Sequence, residues 1–95
     1  MTTRNEYLNY NMNPRHTMMV HISSMNNMRL DLRAHSTPLT NEQSIEGLMQ
    51  SLPDHWDCAR FDMRDKIKAG FVKNFFDVAC ELKLLEERCL LMYTK

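Results

Sequence analysis

SLPDHWD, residues 51–57, places a proline inside what otherwise reads as continuous amphipathic helix, with the chain's single tryptophan three residues behind it. Pro53 lacks the amide proton that would continue a helical ladder and biases Leu52 away from helical angles, so a helix arriving from the N-terminal side stops here. A new helix can start at once, either with Asp54 as its N-cap or with Pro53 in its first turn, where a missing N–H costs nothing. The stretch therefore predicts a tight corner between two helices, with Trp56 as its anchor.

On the N-terminal side, Ile45, Leu48, Met49 and Leu52 form the apolar face of a helix of about three turns, with Gly47 tolerated inside it at some cost. Its start is marked by HSTPLTNEQ, residues 35–43, where Pro38 disfavours helix at Thr37 and Thr40 followed by Gln43 has the form of a capping box. Further upstream, Met18, Ile22, Met25, Met28 and Leu32 recur at steps of three and four and predict a helix from Thr17 to His35. Residues 1–16, rich in asparagine and closed by Pro14, read as a flexible lead-in that adds little core.

On the C-terminal side, Trp56, Cys58, Ala59 and Met63 are core candidates of a third helix, while Asp57 with Arg60 and Asp62 with Lys66 are spaced for surface ion pairs. DKIKAGF, residues 65–71, reads as a loop with Gly70 left-handed. Asn74 and Asp77 open a last helix whose stripe runs through Val78, Leu82, Leu85, Cys89 and Met92. Leu84, Leu90 and Leu91 lie off that stripe and give its C-terminal half a second apolar surface for docking. The fold class is all-α, a small bundle of about four helices, with residues 17–95 as the folded domain.

Composition narrows the function. Twelve Lys and Arg balance twelve Asp and Glu, so no net field draws the chain to nucleic acid or acidic lipid. Arg60, Arg64, Lys66 and Lys68 would supply a helical nucleic-acid-binding module, the alternative class, but acidic residues 54, 57, 62 and 65 interleave with them. Three cysteines without a secretory signal, and no apolar run near the roughly 18 residues of a membrane span, fit a soluble cytoplasmic protein without membrane contact. His55 three residues before Cys58 is the one arrangement resembling a base and nucleophile, yet no oxyanion-hole loop accompanies it, and Cys58 reads better as packing. The histidines and cysteines show no paired zinc spacing and no glycine loop cradles phosphate, so neither enzyme chemistry nor a cofactor or metal is expected. His21 reads as a half-buried structural histidine, and Met18, Met25, Met28 and Met49 as plain packing.

Taken in order, these pieces resemble the Gag polyprotein of copia-type LTR retrotransposons, particularly those of plants. Met18, His21, Ile22, Met25, Met28 and Leu32 match the first helix of that pattern, and Leu39, Thr40, Glu42 and Gln43 its turn. Leu48, Ser51, Leu52, Pro53 and Trp56 match its signature corner, and Val72 through Arg88 its Glu- and Leu-rich last helix. The resemblance spans about residues 7–92 and implies a retroviral capsid-like helical module, truncated at both ends, that associates with itself or with other Gag chains. It points to Ser51, Leu52, Pro53, Trp56, Leu84 and Leu91 as corner and interface residues. The family's Cys-Cys-His-Cys zinc knuckle lies downstream of the matched region, so RNA capture is not implied for this stretch, which reads as a domesticated or degenerate remnant.

Overall fold

The computed structural model describes residues 2–93, with side chains described as far as Arg88. It contains helices α1 (Arg4–Leu8), α2 (Met18–Ala34), α3 (Asn41–Gln50), α4 (Asp57–Lys68) and α5 (Phe75–Tyr93), with a 3-10 turn, Asp54–Trp56, leading into α4. No strand occurs among the described residues, and the all-α bundle expected from periodicity is what forms.

Helix boundaries follow local chemistry. Thr17 caps α2 by accepting a hydrogen bond from the Val20 amide, and Thr40 and Gln43 close the capping box of α3 in both directions. The Asn74 side chain accepts from the Asp77 amide and the Asp77 carboxylate from the Lys73 amide, which fixes the start of α5. Two helices end in Schellman motifs. At the end of α4 the Phe71 and Gly70 amides donate to Lys66 and Ile67, with Gly70 at φ 82°. At the end of α2 the Thr37 and Ser36 amides donate to Leu32 and Arg33, and Ser36 takes the left-handed position at φ 60°. Residues 65–68, read as loop, complete the last turn of α4, because the left-handed residue that ends this helix is Gly70.

The core is one cluster, built by Met18, Ile22, Met25 and Leu32 of α2, Leu48 and Met49 of α3, Trp56 and Met63, and Phe75, Val78 and Leu82 of α5. The expected stripes of α2 and α3 are therefore the buried ones, except that Met28 is only partly covered. Helices α2 and α5 run antiparallel: the Met18 amide donates to the Glu86 carboxylate at 2.8 Å, and further along the Arg29 guanidinium lies 4.3 Å from the Phe75 ring centre. Overall extents of 47 × 32 × 18 Å describe a slab less than two helix diameters thick, so each long helix keeps a solvent face.

The lead-in reading of residues 1–16 is corrected at Tyr7. The Tyr7 side chain of α1 is fully buried, its hydroxyl donates to the Ser44 carbonyl at 2.6 Å, and its ring fills the space over Gly47. Gly47 is thus a docking slot rather than a tolerated weakness. The Thr2 amide adds a 2.6 Å bond to Asp31 of α2. Cys58 is also corrected: it is exposed, because the inward face of α4 is set by Met63 with Ala59 partly covered.

Candidate functional site

The corner at residues 51–57 is held from three directions. Ser51 follows the last turn of α3, and its hydroxyl donates to the Leu48 carbonyl at 2.6 Å. Since its one proton is committed there, Ser51 Oγ must accept at 2.7 Å from His21 Nε2, which fixes His21 as the Nε2–H tautomer. From the N-terminal segment, the Met12 amide donates to the Ser51 carbonyl at 2.8 Å and the Tyr10 ring stacks on His21, with centroids 5.7 Å apart. From α4, Arg60 donates through Nε to the Met49 carbonyl at 3.0 Å and through its terminal nitrogens to Leu52 O and Asp57. A cation thereby satisfies the free carbonyls at the end of α3, where the helix dipole favours it.

The corner geometry differs from both expected starts. Pro53 stands before the 3-10 turn in extended conformation, the Trp56 amide donates to the Pro53 carbonyl at 2.9 Å, and no side chain caps the turn, so Asp54 is not an N-cap. Ser51, Leu52 and Trp56 are buried together, with Pro53 partly covered. Leu84 is brought to none of them. It lies exposed on α5, and Leu91 lies outside the described side chains.

His21 is buried more deeply than its sequence position suggests, with no exposed surface, and its Nδ1 has no partner. Burial pushes its imidazole down to about 4, with a smaller contribution from nearby His16, so it is neutral at pH 7. The His21–Ser51 pair has the members of a general base and a nucleophile but not their access or proton direction, since both are buried and the serine proton points to Leu48.

Beside the corner lies an open groove of about 600 Å³, walled by Met12 and Pro14 on one side, Pro53, Trp56 and Ala59 on another, and Leu85 of α5. His55 and Cys58 both line it, with no hydrogen bond between them. No three His, Cys, Asp or Glu side chains converge on a metal position among the described residues. Sequence reasoning missed this groove because one wall comes from residues 12–14. The only local signal there was Pro14, read as the end of a lead-in.

Two of the four basic residues of α4 are engaged. Arg60 is spent on the corner, and Lys66 donates to Glu81 at 2.9 Å and pairs with Asp62 at 3.3 Å, contacts that raise its pKa. The expected Asp57–Arg60 and Asp62–Lys66 pairs both form. Several large apolar side chains also stand on the surface: Phe61, Phe71 and Phe76 are all more than half exposed, leaving Phe75 as the buried phenylalanine, and Met19, Leu30 and Leu84 are exposed as well. No described helix is long and apolar enough to cross a membrane.

Comparison with models of known protein families, with curated proteins and with solved structures gives no match.

Proposed function

We propose that the chain is a small cytoplasmic helical module that acts by associating with copies of itself, the capsid-like role to which its resemblance to copia-type Gag points. The carrying observation is the exposure of large apolar side chains on a thin bundle: Met19 and Leu30 on α2, Phe76 and Leu84 on α5, Phe61 on α4 and Phe71 between α4 and α5. Scattered apolar side chains are normal on a protein surface, but grouped ones mark contact sites. Burying them against a second chain would also add to the stability of a small domain with one core cluster, because partner binding adds to folding stability.

The nucleic-acid alternative has less support. Phosphate contact needs an unopposed basic face, and two of the four cations on α4 are already bound to carboxylates or carbonyls. Sedimentation and light scattering over a concentration series, read beside helical circular dichroism, test the proposal. Reversible association in the micromolar range is expected, and a strictly monomeric chain at high micromolar concentration refutes it. A salt-independent response in RNA and DNA titrations removes the alternative.

A further inference from the structure

We propose that two copies of this chain pair isologously across the α2–α5 face, with the two-fold axis passing beside Cys80, an inference that rests on the self-association reading above. In α5, Phe76, Cys80 and Leu84 follow one another at steps of four and are all exposed, so they line one ridge. An antiparallel pairing of that ridge with itself, centred on Cys80, sets Phe76 against the partner's Leu84 and Leu84 against the partner's Phe76. The same operation brings Glu87, near the C-terminal end of the ridge, toward the start of the partner's α5, where the partner's Lys73 lies just before the first turn. Both are exposed and of opposite charge, so the ends of the ridge are complementary to their own copies.

Helix α2 obeys the same axis. The Met18–Glu86 bond and the Arg29–Phe75 stack fix the antiparallel register of α2 on α5, and in that register Cys80 lies level with Ser24. Met19 lies five residues before Ser24 and Leu30 six residues after it. Helical spacing puts both on one flank of α2, both are exposed, and Arg29, next to Leu30 in sequence, covers the Phe76 ring at 5.3 Å. The two-fold therefore sets Met19 against the partner's Leu30 within one residue's rise, about 1.5 Å. Two apolar pairs and one charge pair, on two helices, share a single axis. An unrelated partner would not require this symmetry, and a second copy does.

The test keeps Cys80 as the chain's one cysteine, through Cys58→Ser and Cys89→Ser, and treats the protein with a short bis-maleimide. A covalent dimer is expected. It should vanish in the same protein carrying Leu84→Glu, and should not form in a counterpart that keeps Cys58 as its one cysteine, since Cys58 faces the groove on another side. On otherwise unaltered protein, Glu87→Lys is expected to weaken association about tenfold, and adding Lys73→Glu to restore it. Circular dichroism shows that each variant is folded, and the charge swap serves as the test where removal of cysteines disturbs the fold. Association that persists with Leu84→Glu, or a charge swap that fails to restore, overturns the two-fold while leaving self-association standing. No association at any concentration overturns both.

Discussion

Substitution of Gly47 by alanine should change sign with the state of a residue forty positions away. A Cβ built on Gly47 would fall inside contact distance of Tyr7 Cε1, 2.7 Å from Cδ1 and 3.3 Å from Cζ. The ring cannot swing aside freely, because Tyr7 is fully buried and its hydroxyl is tied to Ser44. Two opposing effects follow. Alanine in a helix interior is worth about 1 kcal/mol over glycine, while forcing an extra methyl into a filled core costs about 1–3 kcal/mol. If the ring is expelled altogether, the loss of its burial and of one hydrogen bond brings the cost to about 4 kcal/mol before the helical gain is subtracted. Gly47→Ala should therefore destabilise the intact chain, by up to about 3 kcal/mol once the helical gain is subtracted.

With Tyr7→Ala already in place, the slot is empty and the same Gly47→Ala change should stabilise by about 1 kcal/mol. Urea unfolding followed by helical circular dichroism, at a concentration low enough to hold association constant, measures both arms of this double-mutant cycle. A stabilising Gly47→Ala in the otherwise unaltered chain would show that Tyr7 does not occupy the slot, and the docking of α1 described above would be wrong.

Further changes test other parts of the structure. Ser36→Gly should stabilise by roughly 0.5–1 kcal/mol, since serine at φ 60° bears a steric cost that glycine does not; a loss of stability in thermal unfolding would contradict the Schellman ending of α2. Trp56→Ala should cost about 3–5 kcal/mol in urea unfolding, as for other large buried aromatics, whereas retained stability with lost association would move Trp56 from the core to an interface. For His21 the imidazole is depressed from 6.5 in the unfolded chain to about 4 in the fold, so the unfolded state binds more protons between those values. Stability should be full above pH 6.5 and fall by up to about 3 kcal/mol as pH drops to 4; a His21→Gln variant with the same pH slope as the parent would refute this.

The parts of the fold legible in the sequence are those whose physics is local. Thr40 with Gln43, Asn74 with Asp77, and Gly70 each act within four residues, and the stripe of α2 needs only its own period. Tyr7 was not legible because a five-residue helix has no period to detect and its burial is decided by Gly47 on another helix. Cys58 was misplaced because two apolar-sized positions on α4 compete for the inside, and only the packing against α5 shows that Met63 takes it. The full burial of His21 was missed for the same reason, since its partner Ser51 is thirty residues distant and Tyr10 comes from a segment read as flexible.

The corner that carried the family resemblance turns its polar groups inward. His21 meets the Ser51 hydroxyl, Met12 takes its carbonyl, and Arg60 takes those of Met49 and Leu52. A partner approaching Ser51 or Leu52 would have to break these bonds and open buried surface, which costs more than a rim contact returns. The corner is thus suited to fix the angle between α3 and α4, and the exposed ridge of α5 is suited to make contact. On the proposed two-fold, stability and association fall on different residues: a change at Trp56 should lower the first and impair the second only through it. A change at Leu84, half exposed and outside the core cluster, should abolish association in a chain that still unfolds at nearly the parent urea concentration.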